Sequence, residues 1–431
     1  MSYQWKLALV LAGAAAAAVP DRAECQRDST GRPALVLTRR EAIDSALTHN
    51  PQIRIAREQI AQARAAGVEN TAFPDPTLSG DLTGQTGPTD FRSNTGSDVG
   101  IGLSLPFPAK FLLRHRVSGA DVAAAEFSLV QLQQQTASQT VQAYDALIVA
   151  LRHRADLLEG DSLAKDFAKK TEVRFNAGSV PRLDVLKARV DLAQAENDLL
   201  ANQRDLANAR AALNRVLGRP LGFGIEAAET LSIPGELPAP DSLVAIALSH
   251  RPELLGLERQ RSGASAATAL AQMYLLPDVD LGVSKNMAQG TPSTYTTSIG
   301  FSVPLFFWNH QRGEVSAARH HERELEASYA DLQAQVDLDV RTTHASAATA
   351  LQQAIYLRDA LLPEARRAYE IALTSYGLGG SSALDVLDAR RTLLTAESQY
   401  ADALAAANDA RADLERAVGA PLESAGVRHD R

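Results

Sequence analysis

Two carboxylates three residues apart, Asp385 and Asp388, offer the clearest chemistry in this sequence of 431 residues. They open a stretch with helical apolar spacing, and a helix sets residues three apart on one face. In a symmetric assembly such a pair becomes stacked rings of negative charge, which favour cations and hinder anions at a constriction. A plainer use competes, because an acidic residue in a first helical turn answers the helix dipole. That use has weight for Asp385, since Asp184 holds the matching place in an earlier, similar stretch, whereas the counterpart of Asp388 is Lys187.

Other reactive groupings are sparse. His320, His321 and Glu324 have the types for metal ligation on a helix, yet Arg319, Glu322 and Arg323 around them read as a solvated charged face. Cys25 is the single cysteine, so no internal disulfide can form. Glu24 before it occupies the place where lipid attachment needs a small residue. The sequence holds no cysteine cluster, no glycine-rich phosphate loop and no convincing nucleophile and base. No enzyme activity, no cofactor and no bound metal are expected.

The elements that position the two aspartates occur twice. FNAGSVPRLDVLKARVDLAQAE, ending at Glu196, aligns without a gap on YGLGGSSALDVLDARRTLLTAE, ending at Glu397. The same shift carries Leu47, His49 and Pro51 onto Leu248, His250 and Pro252, and Leu213, Arg215, Gly218 and Pro220 onto Leu414, Arg416, Gly419 and Pro421. Such a match along the mature chain is a tandem duplication. Each unit is domain-sized, which suggests pseudo-symmetric halves of one body rather than a solenoid.

Composition favours long helices. Hydrophobic residues make up 45% and charged residues 22%, but aromatics only 5%, and alanine supplies much of the apolar content. The formal charge of −8 and the lack of a strongly basic block argue against nucleic acid as a partner. Lys6 followed by an apolar, alanine-rich run with small residues at Ala16 and Ala18 reads as a cleavable signal peptide over 1–18. No later segment has the length of apolar residues for a membrane helix, so a membrane-spanning part has to be a β-barrel.

Taken in order, the first half (38–220) begins with a helix over 38–72, opened by a Thr38/Glu41 capping box and kinked or broken at Pro51. A hairpin over 77–105 follows, where Val99, Ile101, Leu103 and Leu105 alternate with Gly100, Gly102 and Ser104. That pattern suits either a half-buried soluble hairpin or a strand of a membrane barrel. From Pro108 helical spacing runs to Gly178, with only Gly119 and Gly160 interrupting, a reach of about 100 Å. After the turn at Gly178 and Pro181, a helix over 183–217 carries Val185, Leu192, Leu199, Leu206 and Leu213 in a seven-residue stripe, with alanines at most of the companion positions. This is the seam of a left-handed coiled coil. A proline-rich linker (221–241) leads to the second half (242–422): a helix over 242–273, a hairpin over 278–303, a long helix over 311–375, the turn holding Gly377, Gly379 and Gly380, and a last helix to Val418. The tail 423–431 reads as disordered.

Four strands cannot close a barrel, and an open edge in lipid leaves backbone groups unpaired. Several copies must therefore pool their hairpins, and three copies supply twelve strands. A trimeric coiled-coil protein that bridges envelope layers without conducting also accounts for the helices, but gives the matched hairpins no purpose.

The signal peptide, the doubled helix–hairpin–helix plan, PDPTL at Pro74 to Leu78, the LSLPFPAK and SVPLFFWNHQRGEV restarts and the paired LDVL turns resemble the TolC-type outer-membrane efflux proteins. The resemblance implies a mainly α protein whose long helices form a coiled-coil barrel, with four β-strands per protomer in a trimeric twelve-stranded barrel of the outer membrane. It implies an exit duct of a tripartite efflux system, working with a periplasmic adaptor and an inner-membrane transporter of the RND type, and it is most similar to the heavy-metal and small-molecule subgroup. The exit duct of a type I protein secretion system is the variant reading. In that family Asp385 and Asp388 match a selectivity pair. Tyr376 matches an aromatic that holds the closed tip through hydrogen bonds to the neighbouring helix, and Asp184 stands where its partner is expected. Ser381 departs from an arginine common in this turn, which weakens the salt-bridge part of such a lock. The glycines of the second turn suit either turn geometry or a close approach by the adaptor.

Overall fold

A computed structural model describes residues 35–83, 87, 95–273, 276–288, 290–302 and 310–422. The signal segment 1–18, Cys25, the hairpin end at Val303 and the tail 423–431 lie outside the described residues.

The chain opens with a short strand β1 (Leu35–Leu37) and helix α1 (Arg39–His49), whose N-terminus carries the capping box of Thr38 and Glu41. Pro51 breaks the helix there: it has no N–H to donate, and its ring collides with the carbonyl four residues back. Helix α2 (Pro51–Thr71) restarts behind Asn50, whose side chain accepts from the Gln52 N–H and donates to the Val216 carbonyl. Strands β2 (Thr77–Thr83) and β3 (Gly96–Leu105) form the first hairpin. Helix α3 (Pro108–Asn176) is 69 residues long without a break, about 100 Å at 1.5 Å per residue. Helix α4 (Arg182–Val216) returns alongside it.

The expected linker is not formless. It holds strand β4 (Ile225–Ala227), which pairs in parallel with β1, and the Tyr144 hydroxyl donates to the Leu37 carbonyl at 2.7 Å beside them. The helix expected over 242–273 starts earlier and is two helices, α5 (Pro240–His250) and α6 (Pro252–Gln272), because Pro252 acts as Pro51 does. Strands β5 (Asp278–Ala288) and β6 (Thr294–Ser302) form the second hairpin. The long helix expected over 311–375 is interrupted. Helix α7 (His310–Tyr356) passes through a π-turn (Leu357–Leu361) into α8 (Leu362–Leu378). Pro363 is the cause, since it cannot donate to the carbonyl of Asp359, and an inserted residue relieves the clash. Helix α9 (Ala383–Val418) closes the described chain.

The two hairpins join into one antiparallel sheet in the order β2-β3-β5-β6. Its register sorts the side chains by face. One face carries rows such as Thr77–Gly102–Gly282–Ser298 and Ser79–Gly100–Ser284–Thr296; the other carries Leu78–Ile101–Val283 and Leu105–Val279–Phe301. Leu78 is 77% exposed and Phe301 67%, so among the described residues of one chain nothing covers the apolar face. On the polar face a Cβ added at Gly102 would meet Thr77 Oγ1 at 2.9 Å, and one at Gly282 would meet Ser298 Oγ at 2.6 Å. Glycine there leaves room for the neighbouring hydroxyls, as the crowded inner side of a curved sheet requires.

The helices bury separate clusters along their length rather than one core. One gathers Leu37, Tyr144, Leu147, Leu206, Leu213 and Ile225; a second, Leu243, Val336, Val340 and Leu414; a third, near the turns, Phe167, Tyr369, Tyr376, Val386 and Leu393. All members of the seven-residue stripe on α4 are buried or half-buried, and so are Val386, Leu393, Tyr400, Ala407 and Leu414 on α9.

Sheet and helices are tied at one junction between the halves. Lys110, in the first turn of α3, is buried and donates to Asp278 Oδ1 and the Leu276 carbonyl, both at 2.8 Å, while the Phe107 N–H donates to the same carboxylate oxygen. Replacing Lys110 with Met removes charge-assisted bonds and should destabilise the fold by about 2 kcal/mol; thermal unfolding of the purified variant checks this, with an unchanged midpoint counting against the junction.

Candidate functional site at the helix tips

The turns between α3 and α4 and between α8 and α9 are built alike. Gly178 and Gly379 both have positive φ, 72° and 83°, which L side chains resist and glycine accepts. In each turn the next residue, Ser179 or Gly380, donates back to the carbonyl five positions earlier, Arg174 or Ser375, at 2.8 Å. Turn geometry therefore accounts for Gly178 and Gly379. Gly377 lies within α8, exposed and with open space around its Cα, and a Cβ at Gly380 would come within 3.0 Å of Ser375 Oγ.

The helix starts differ, and the difference separates the aspartates. Ser382 caps α9: its N–H and hydroxyl both donate to Asp385 Oδ2, at 2.8 and 2.9 Å, and its Oγ accepts from the Asp385 N–H. These bonds hold the Asp385 carboxyl below the usual carboxylate range, chiefly through the Ser382 N–H. In the first half Pro181 stands where Ser382 does, with neither hydroxyl nor N–H, so Asp184 closes no capping box and its own N–H donates to the Pro181 carbonyl. Asp388, one turn into α9, is exposed. It borders a groove of about 350 Å³ between α4 and α9, together with Lys187, Arg391 and the apolar side chains of Leu183, Leu186 and Leu384.

Tyr376 is buried at the end of α8, and its ring stacks at a tilt on Phe167 with centroids 5.3 Å apart. Its hydroxyl lies 3.4 Å from Thr171 Oγ1 of α3. Arg174 sits over the ring, 4.5 Å from its centroid, and hydrogen-bonds to the Tyr376 carbonyl. Within one chain, then, Tyr376 is held by Thr171 and Arg174 of α3, while Asp184 lies on α4 and is not brought to it. Ser381 donates to the Ala372 carbonyl of α8. The cation that holds Tyr376 is Arg174, which sequence reasoning missed because its position in the first half gives no sign that it meets α8.

A second missed group lies further up the helices. Arg390 is 5% exposed and its partner Asp191 4%, with 2.7 Å between them, and Arg390 also donates to the Gly160 carbonyl. A side chain at Gly160 would meet Leu394 at 3.2 Å, so glycine lets α9 approach α3. The matching Arg189 of the first half is exposed and pairs with exposed Glu172. The repeat marked both arginines, but only packing distinguishes the buried one. Among the described residues no cluster of side chains could hold a metal ion, and His321 pairs with Glu324 on an exposed face.

If Asp385 serves the cap and Asp388 does not, Asp385→Ala should lower stability by about 1 kcal/mol while Asp388→Ala leaves it unchanged; paired thermal melts decide this, and equal losses would contradict the assignment.

Comparison with known proteins fits this architecture. Residues 42–219 and 243–420 each match the outer membrane efflux protein family. The cobalt-zinc-cadmium resistance protein CzcC of Cupriavidus metallidurans is 24% identical over 398 residues, covering 89% of this chain and 90% of that protein. The solvent efflux pump outer membrane protein SrpC of Pseudomonas putida is 26% identical over 417 residues, covering 89% and 84%. Among solved structures, the outer-membrane channel OprN superposes with a TM-score of 0.76 at 23% identity, over 89% of this chain and 90% of that one. The CusC channel gives 0.75 at 19%, over 89% and 92%. These likenesses are to ducts rather than to enzymes. With both halves matched and the fold shared, the chain belongs to the outer membrane efflux protein family, and its role is that of an exit duct for efflux.

Proposed function

We propose that three copies of this chain close a twelve-stranded barrel in the outer membrane, continued by a helical tunnel in the periplasm, as the exit duct of a tripartite pump. The observation that carries this reading is the sheet. Its strands β2 and β6 are open edges within one chain, and its apolar face is bare over 7 to 11 residues per strand, close to the roughly 9–11 residues that span a bilayer at a tilt. Lipid forbids such edges, and further copies of the same hairpins remove them. The polar, glycine-rich face then lines the lumen. Among the described residues no helix is long and apolar enough to cross a membrane, so the sheet is the element suited to do it.

On this reading the chain is a duplicated unit, 38–220 and 242–422, joined by 221–241, exported by the leader at 1–18. The two matched family segments and the like-built turns support the duplication. The helix tips face a periplasmic adaptor, with Gly178, Pro181, Gly377, Gly379 and Gly380 at the contact and an inner-membrane transporter of the RND type beyond it. Asp385 and Asp388 supply rings of negative charge at the constriction, and Tyr376 with Asp184 belongs to the gate. Asp385 stays ionised because of its cap, and Asp388 has no capping duty, which makes it the better test of selectivity. The relatives' printed roles span metal resistance and solvent efflux, so the cargo class is small molecules or metal ions supplied by the pump.

Reconstitution in a planar bilayer tests the duct. Stepwise conductance from a cross-linkable trimer is expected; a protein that never conducts, or that stays a water-soluble monomer with its hairpins folded, sinks the reading in favour of an envelope-bridging rod. Within a conducting channel, Asp388→Ala should reduce the preference for cations over anions several-fold, measured from reversal potentials, and unchanged selectivity would take Asp388 out of the constriction.

A further inference from the structure

The groove beside Asp388 is lined from both halves by residues at matching places in the duplication. The shift that lays the first LDVL turn on the second carries Leu183 onto Leu384, Leu186 onto Leu387, Lys187 onto Asp388 and Val190 onto Arg391. Among the described residues these four pairs make up the whole lining. Helices α4 and α9 both start at a tip turn, so they run parallel and in matched register, each turning the same face to one space.

Within that lining the apolar positions are leucine in both halves, and the polar positions have diverged. One level sets a cation beside an anion, and the next sets valine beside arginine. Lys187 is half-buried and Asp388 exposed, and among the described residues neither side chain has an ion-pair partner. Arginines close by are paired, Arg189 with Glu172 and Arg366 with Glu397. The charges at the groove are therefore left free to act on whatever occupies the space they face.

We propose that Lys187 is a specificity-determining residue of the duct, the counter-charge that stands level with Asp388, so that in the trimer three lysines alternate with three aspartates around the constriction. This rests on the placement of Asp388 there under the proposed function. Because the two side chains border one groove, a copy that turns Asp388 to the pore turns Lys187 to it as well. A ring of carboxylates alone draws cations and repels anions. Interleaved lysines offset that field over the short distances at which charges act in salt solution, and Arg391, one helical turn on, adds to the positive side. A level of alternating charge passes cations and anions with little distinction. Lys187 thus tunes the duct away from a cation filter and leaves the sorting of cargo to the pump.

Planar-bilayer recordings of the full-length protein, wild type beside Lys187→Met, test this role. Methionine keeps an unbranched apolar stem and removes the charge. At about 0.1 M salt, where charges are felt over roughly 10 Å, reversal potentials of Lys187→Met should show a several-fold greater preference for cations, opposite in direction to the effect of Asp388→Ala. At about 1 M salt, where that range shrinks to roughly 3 Å, the difference from wild type should narrow. Wild-type selectivity in Lys187→Met, beside an Asp388→Ala channel whose cation preference does fall, overturns the inference and leaves Asp388 at the constriction. If neither substitution alters selectivity, that placement of Asp388 fails and the role of Lys187 fails with it. An exchange of charges gives an independent measurement. Lys187→Asp and Asp388→Lys should each displace selectivity, in opposite senses, and together return it near the wild-type value; a double variant that stays displaced contradicts the alternating level.

Discussion

A backbone N–H or carbonyl facing hydrocarbon without a partner costs several kcal/mol, and β2 and β6 each present a row of such groups along a free edge. Little else in the molecule is free to vary once that is granted. In the barrel proposed above, the face that meets lipid is the one with Leu78, Ile101, Val283 and Phe301, and the face with Thr77, Ser79, Ser284 and Ser298 looks inward. Strict alternation makes the assignment all or nothing, because a one-residue slip would exchange the faces completely. The Lys110–Asp278 bond then matters beyond its own strength: it ties the start of α3 to the start of β5, so that a sheet built from both halves hands over to helices built from both halves.

Below that junction the problem is length. A helix of about 100 Å cannot be wrapped around a single core, and the chain instead strings buried clusters along a seam of large and small residues. Prolines divide the labour on this rod. Pro51 and Pro252 sit at breaks where a short helix turns against its neighbours, while Pro363 is absorbed inside a continuing helix by a π-turn. Alanine at the seam and glycine at position 160 bring backbones close, and the close approach is what lets Arg390 reach a carbonyl of α3 and a carboxylate of α4 together. Desolvated charges of this sort fix register more than they add stability, since their attraction is largely offset by the loss of water.

At the tips, the duplicated motif has diverged in ways that a side-by-side alignment understates. Ser382 in place of Pro181 gives α9 a cap that α4 lacks and commits Asp385 to it. Arg390 is buried where Arg189 is exposed. Tyr376 fills a pocket against Phe167, Thr171 and Arg174, whereas its counterpart Phe175 is 37% exposed. Two copies of one sequence unit have thus become one half that supplies a binding surface and one that docks into it.

The sequence alone determined the order of elements, the alternation of the strands, the coiled-coil stripe, the Thr38 capping box and the turn glycines, because each depends on residues within a few positions of one another. The doubled LDVL turn and the paired hairpins carried the family resemblance for the same reason. Tertiary structure alone decided that β1 and β4 pair across nearly two hundred residues, and that the hairpins meet through β3 and β5. It also decided that, within one chain, Thr171 and Arg174 hold Tyr376, and that Asp191 and Asp145 lose their water. Those outcomes rest on which helix faces approach each other and at what register, and a charge on a helix reads the same in sequence whether solvent or another helix covers it.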